Sequence, residues 1–455
     1  MKTLLSAAIS LSGLFTAVNT VFGQDLAFAT NTLAVGNGPS SVIAADINND
    51  GKVDLICTDS KDNTLTVLTN NGSRGFVSSA TLNLAPYSNP TCVAAADVNN
   101  DGSLDLICAL SGGVIEVLTN NGSGGFASNA VYNLGVMGTA MSCVVAADVN
   151  GDGKVDLITA NELGGIRSQG VLTVLTNNGS GGFVLCTNLS TAGGPGSLPH
   201  WVAVADIYGN GGMALISANS GVSYNSLTVF TNDGSGDFGS NATYTVSREP
   251  YCVVAVDVNG DGKVDLVSAN GLDNTLTVLT NNGSGVFGSN ATYNVGAGPF
   301  FVTAADINGD GKPDLICANA ATNTLTVLTN NGSGGFVLCT TLTVGSNPRS
   351  IAVADVNGDG KLDLISADFG QGNGNTLTVL TQVTPPPELT IASVSPDAVA
   401  VSWPSSATNF VLQTNADLTT TNWGISSYAI STNGQAESVT ITSAPPVNLF
   451  FRLIQ

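Results

Sequence analysis

The sequence predicts an all-β fold, a seven-bladed β-propeller followed by a small β-sandwich, on three observations. A nine-residue acidic loop of the form D-x-N-x-D-G-x-x-D recurs, its seven copies starting 51, 51, 58, 51, 49 and 49 residues apart. Between successive loops lie four short runs rich in apolar and β-branched residues, punctuated by Asn-Gly or Asp-Gly turns. The last unit supplies only three such runs, while a fourth stands unclaimed near the N-terminus. Periods of about fifty residues belong to propellers and repeat arrays, and four antiparallel strands make one blade.

Taken in order, Met1-Lys2 and the apolar run LLSAAISLSGLFTAV lead to Val21-Phe22-Gly23, the pattern of a secretory signal over residues 1–23 with small-residue cleavage after Gly23. The run is too short, and too broken by Ser and Gly, to span a membrane, and no other segment is a candidate. The mature chain is therefore expected outside a bacterial cytoplasm, secreted or at the cell surface. The propeller is expected over residues 24–384. Its first unit reads SSVIAAD, acidic loop, VDLICTD, NTLTVLTN, an Asn-Gly turn, then FVSSATLNL; such turns favour tight hairpins. The segment LAFATNTLAVG (Leu26 to Gly36) reads like every other fourth strand and completes the last blade beside Thr376 to Gln382. That closure leaves no unpaired strand edge at the seam. Pro385-Pro386-Pro387 forms a linker, and residues 388–455, with alternating runs AVAVSW, NFVLQT, ESVTIT and LFFRLI, read as the small sandwich.

The acidic loops carry the chemistry. A hard divalent cation such as Ca²⁺ takes six to eight oxygens, and alternate residues of a tight loop can aim theirs at one point. The first loop would offer Asp46, Asn48 and Asp50 side chains, the Lys52 carbonyl and the Asp54 carboxylate. The corresponding sets are Asp97, Asn99, Asp101, Ser103 and Asp105; Asp148, Asn150, Asp152, Lys154 and Asp156; Asp257, Asn259, Asp261, Lys263 and Asp265; Asp306, Asn308, Asp310, Lys312 and Asp314; and Asp355, Asn357, Asp359, Lys361 and Asp363. The fourth copy, from Asp206, has Asn210 and Ala214 where the others have Asp. About six Ca²⁺ sites are thus expected, with none at Asp206. Five lysines occupy the seventh loop position, where the backbone carbonyl would bind and the side chain would point to solvent.

The loop joined to a Gly-rich turn ending in Phe (Phe76, Phe126, Phe183, Phe238, Phe287, Phe336) resembles the FG-GAP or VCBS repeat of integrin α-subunit propellers and of many secreted bacterial proteins. The resemblance covers roughly residues 26–382 and implies a calcium-binding propeller. The family includes adhesins, lectin-like modules and a few polysaccharide lyases, so fold alone does not fix function. The C-terminal segment, with FVLQTNADL, NWG and FFRL, resembles the fibronectin-like tails of secreted repeat proteins.

A formal charge of −21 with 12 basic residues excludes a nucleic-acid partner, whose phosphates demand a basic footprint. Three Asp in each intact loop account for 18 of the 33 acidic residues. Most of the eight cysteines recur at equivalent strand positions and read as small core side chains, with Cys92 and Cys108 the one pair placed to bridge. There is one histidine, His200, and neither G-x-S-x-G nor H-E-x-x-H. The segments leading into the first strand of each blade carry the uncommon side chains His200, Trp201, Tyr251, Phe300 and Arg349, beside recurring prolines. Aromatic and Arg side chains on a rigid scaffold suit a ligand face opposite the acidic loops, although Trp201 and Phe301 could instead plug the central channel. The expected function is recognition of an extracellular protein or glycan by a monomer. The alternatives are a lyase-type polysaccharide-degrading enzyme and a purely structural surface protein.

Overall fold

The computed structural model describes residues 7–9, 26–72, 75–85, 88–134, 140–162, 170–191, 197–221, 225–383, 389–395, 398–404, 411–415, 424–432, 436–441 and 449–454. Most of the expected leader, the triple proline and parts of the two insertions ahead of the fourth loop (residues 163–169 and 192–196) lie outside this set. Two compact units emerge: Phe28–Val383, and Met1–Ala27 together with Thr384–Gln455.

The larger unit holds seven four-stranded sheets, spanning residues 39–83, 90–133, 140–190, 198–245, 250–294 and 299–343 for blades 1 to 6, with 348–383 completed by 27–34 for blade 7. In blade 1 the strands Pro39–Ala45, Asp54–Asp59, Thr64–Asn70 and Phe76–Asn83 follow one another from the inside outward. Each innermost strand packs on that of the next blade, and Pro348–Ala354 packs back on Pro39–Ala45, so the sheets form a closed ring. The N-terminal strand Ala27–Ala34 does join blade 7 outside Thr376–Val383. Burial explains the sequence texture of the strands. Second strands such as DLICTD are buried on both faces and read as unbroken apolar runs, whereas the outer strand FVSSATLN is largely exposed and alternates.

Every innermost strand breaks its pairing register at the equivalent place, one or two residues after its start: Pro39/Ser41, Pro90/Cys92, Met141/Cys143, Pro199/Trp201, Pro250/Cys252, Pro299/Phe301 and Pro348/Ser350. A bulge of this kind leaves one residue unpaired and re-aims its side chain. The skipped residues are Ser40, Thr91, Ser142, His200, Tyr251, Phe300 and Arg349.

Neighbouring blades are also stitched by a repeated side-chain bridge. The amide of Asn120, the last residue of its third strand, donates to the Ile47 carbonyl in the acidic loop of the preceding blade (2.8 Å) and to Leu104 within its own (2.9 Å). Asn70, Asn177, Asn232, Asn281 and Asn330 reach back to Val356, Val98, Val149, Ile207 and Val258 in the same way. Gln382 completes the circle: with its amide oriented to satisfy its neighbours, it donates to Leu362 and Ile307 at 3.1 and 3.2 Å.

At one blade position two sheets carry a buried carboxyl where four others carry an amide. At the end of the second strand, Asn161, Asn219, Asn270 and Asn319 donate to threonine hydroxyls of the adjoining strand or its own, whereas blade 1 has the fully buried Asp59 and blade 7 the buried Asp368, which accepts from Thr376 and Thr378. Asp59 accepts from Thr64 and Thr66 through Oδ2, its Oδ1 has no partner among the described residues, and burial pushes its pKa up to about 6. A carboxyl whose folded pKa lies above its unfolded value contributes stability at pH below about 4 and loses it as pH rises through the folded pKa. Asp59→Asn is therefore expected to stabilise by about 2 kcal/mol at pH 7.5 and to change little at pH 4. Urea melts at the two pH values check this. Equal effects at both, or destabilisation at pH 7.5, would show that the buried charge is not the cause.

The eight cysteines form no disulfide, in keeping with their reading as core side chains, and the one pair read as bridgeable, Cys92 with Cys108, is not joined. After the bulge Cys92 stands opposite Ala109 and Val93 opposite Cys108, so the two sulfurs point to opposite faces of the sheet. Cys92 Sγ instead donates to the Val144 carbonyl of the neighbouring blade at 3.7 Å.

The C-terminal unit is itself two four-stranded sheets. One contains Thr390–Ser395, Ala398–Pro404, Ala436–Ile441 and Ser431–Thr432; the other contains Leu449–Ile454, Val411–Asn415, Gly424–Ile425 and Ala7–Ile9. Val401, Trp403, Leu412, Val439 and Phe451 form its core, and the Trp403 indole donates to Glu437 at 2.9 Å. Ala7–Ile9, within the expected leader, pairs with Leu449–Phe451.

Candidate functional site

The seven bulged residues meet at the axis of the ring. They line a single small cavity of ≈ 50 Å³, together with the residues that follow them in blades 1, 2, 4, 6 and 7, namely Ser41, Cys92, Trp201, Phe301 and Ser350. The cavity sits at the start of the innermost strands and the acidic loops leave from their ends, so seven residues at ~3.3 Å each put roughly 20 Å between the two faces. The five sequence candidates, His200, Trp201, Tyr251, Phe300 and Arg349, all line this cavity, drawn from blades 4 to 7. They stand on the channel axis and not on the outer rim.

The ring is lopsided. Blades 1 to 3 contribute small hydroxyl side chains that satisfy themselves locally: Ser40 Oγ donates to Pro90 O (3.0 Å), Thr91 Oγ1 to Met141 O (2.7 Å) and Ser142 Oγ to Glu162 Oε1 (2.7 Å). Blades 4 to 7 contribute large ones that touch in series. His200 meets Tyr251 edge-on at 4.8 Å, Tyr251 stacks on Phe300 at 5.1 Å, and the Arg349 guanidinium lies over Phe300 at 4.9 Å and Phe369 at 3.8 Å. Such contacts contribute about 0.5–1.5 kcal/mol each beyond burial.

Electrostatics pins the two ends of this series. His200 Nδ1 donates to Glu162 Oε1 at 3.0 Å, and burial holds its pKa below the ordinary histidine value. Tyr251 donates to Glu249 at 2.8 Å, and burial with that hydrogen bond pushes its pKa up to about 12. Arg349 donates through Nε to Asn347 Oδ1 at 3.2 Å and makes no ion pair among the described residues. Trp201 and Phe301 belong to the next layer in, edge to face at 5.1 Å, and Trp201 packs against three of the inter-blade cores. Of the two roles weighed for it, this packing favours the plug.

On the other face, loop 1 shows how the acidic segments are built. Asp46 accepts from the backbone N–H groups of Asp50 and Gly51 (3.1 and 2.8 Å), and Asn48 accepts from Asp50 (2.9 Å). The left-handed φ of Gly51, +80°, makes the turn possible. Asp54 is fully buried and accepts from Asn70 N (2.7 Å) and Ile47 N (3.4 Å). Burial raises its pKa, with Asp50 and Asp46 adding repulsion. The lysines expected to point to solvent fold back instead: Lys52, Lys154, Lys263 and Lys312 place Nζ 2.9–3.4 Å from the fifth-position Asp of their own loops. Among the described residues no three His, Cys, Asp or Glu side chains converge as a ready metal cage. A cation here would depend on Asn and backbone oxygens as well. The all-oxygen donor set and the stacked carboxylate charge fit a hard divalent ion in chemistry. In the fourth loop Ala214 replaces the buried carboxylate, although Asp206 still accepts from Asn210 and Gly211.

Sequence reading missed the Asn bridges and the bulges. The first residue of each N-N-G turn looked like turn chemistry alone, and a bulge is a property of pairing register. The recurring proline was the visible signal for the latter.

A family profile described as an FG-GAP-like repeat matches residues 46–108, 97–159, 206–268, 257–317 and 306–366. No curated protein sequence matches the chain. Among solved structures, a crystal structure of BBS1N in complex with ARL6DN, soaked with lead, is similar with a TM-score of 0.58 and 13% identity, covering 80% of this chain and 98% of that one. A mercury-soaked crystal of the same complex gives 0.58 and 14% over the same shares. At such identity the likeness is one of fold.

Proposed function

Because the chain belongs to the FG-GAP-like repeat family and folds as a propeller, we propose that it is a recognition module, secreted and stabilised by calcium, whose axial face engages an extracellular protein partner. The fold supports an interaction module, and BBS1N, of similar fold, is itself seen in a complex with another protein. The observation that carries the reading to one face is the bulge in every innermost strand, which turns seven side chains toward one cavity with the large ones grouped in adjacent blades. Rigid aromatic and Arg side chains grouped in this way are what interface hot spots use. Calcium would be held in the six intact loops by the first, third, fifth and ninth side chains and the seventh carbonyl, and would neutralise the carboxylate clusters there. His200 is held by Glu162 beside a cavity of ≈ 50 Å³, well below the about 300 Å³ at which ligand pockets begin, so it lends no support to a lyase reading.

The test is an array of matrix proteins and glycans probed with the calcium-loaded chain, followed by Tyr251→Ala and Phe300→Ala. A partner is expected, bound at least tenfold more weakly by each variant. Unchanged affinity in variants that melt normally would move the site off the axial face.

A further inference from the structure

We propose that the axial cavity is a carboxylate-binding pocket anchored by Arg349, receiving an Asp or Glu side chain presented by a protein partner. The inference rests on the reading of the axial face as the recognition surface and adds the chemistry of what enters it. Arg349 is a half-buried cation that makes no ion pair among the described residues. Arg248 is paired with Asp273, and four loop lysines are paired with loop carboxylates. Arg349 lies in the cavity wall, and its hydrogen bond, from Nε, goes to the neutral Asn347.

A partly buried guanidinium without an anion is a costly arrangement that an incoming carboxylate would relieve. Stacking on Phe300 and Phe369 fixes the plane of the guanidinium, so its terminal N–H groups form a preset fork for a carboxylate. The two carboxylates nearby are already committed, Glu162 to His200 and Ser142 and Glu249 to Tyr251.

Size and charge narrow the occupant. A volume of ≈ 50 Å³ accepts a carboxylate at the tip of a thin stem and excludes a sugar ring. With a net charge of −21, the molecule repels an acidic tract as a whole. A partner would therefore present one isolated acid flanked by neutral residues.

The probe is N-acetyl-glutamyl amide, titrated into the full calcium-loaded chain and followed by ligand-observed NMR. N-acetyl-glutaminyl amide serves as the uncharged isostere and galacturonate as the ring-borne carboxylate. The glutamyl compound is expected to bind ten- to a hundredfold more tightly than the glutaminyl one, with galacturonate no better than the latter. Arg349→Met should abolish the preference, and Arg349→Lys should keep part of it. Equal binding of the two amides to the unmodified chain overturns the proposal without any variant, as does an undiminished preference in Arg349→Met. Galacturonate binding as well as the glutamyl compound would overturn the assignment to a protein side chain. Equal binding alongside loss of partner affinity in Tyr251→Ala would remove the carboxylate pocket and leave the recognition face standing. A clear preference alongside unchanged partner affinity would do the reverse.

Discussion

Chelation is expected to lower the melting temperature of the chain by roughly 3–10 °C. Extracellular calcium modules bind with Kd on the order of 10⁻⁴ to 10⁻³ M, so 1 mM Ca²⁺ contributes about 0.4–1.4 kcal/mol per site by mass action. Six intact loops bring this to roughly 2.5–8 kcal/mol, as large as the whole stability of many domains. The location of the loops explains why the effect reaches the ring. The second residue of each loop receives the amide bridge from the next blade, and the buried ninth-position Asp fixes the backbone from which that bridge departs. Loosening a loop therefore loosens a joint between blades. The fourth loop is expected to contribute nothing, so elemental analysis of desalted protein should find about six calcium ions per chain. A melting temperature indifferent to EDTA would reduce the loops to hydrogen-bonded turns.

The parts of this molecule that repeat could be read from the sequence, and the parts that depend on register could not. Blade number, the strand order within a blade and the closure by Leu26 to Gly36 follow from counting apolar runs between acidic loops, because each run has one neighbour it can pair with. The grouping of His200, Tyr251, Phe300 and Arg349 followed from their shared place after a proline, since equivalent positions in a ring converge on its axis. Their depth did not follow, because a rim position and an axial one differ only by the bulge. Register also decides Cys92 and Cys108: the hairpin places Cys92 opposite Ala109, so the two sulfurs lie on opposite faces of the sheet, and Cys92 meets Val144 across the blade boundary. The lysines were misplaced for a simpler reason. A four-carbon stem two residues from a carboxylate can fold back onto it, and the sequence does not say which rotamer wins.

Asn120→Ala is expected to be the most damaging single substitution outside the hydrophobic core, costing about 3–5 kcal/mol. The side chain is buried and makes four hydrogen bonds: its amide donates to Ile47 O and Leu104 O, and its oxygen accepts from Gly122 N and Gly124 N. Alanine leaves two buried carbonyls without this donor, at about 1–3 kcal/mol for each group that water cannot reach. It also releases the turn that leads into the outer strand. Neighbouring Asn121 gives the control, since it is exposed and its bonds to Ser123 and Gly125 stay within the turn; Asn121→Ala is expected to cost under about 1 kcal/mol. Asn120→Asp separates packing from polarity. It keeps the volume and both acceptor contacts but sets a carboxylate oxygen against two carbonyls, and it should destabilise at least as much as alanine at neutral pH and less near pH 4. Denaturant melts of the three variants in millimolar calcium decide the matter. An Asn120→Ala chain as stable as Asn121→Ala would mean that the blades are held by their apolar faces alone.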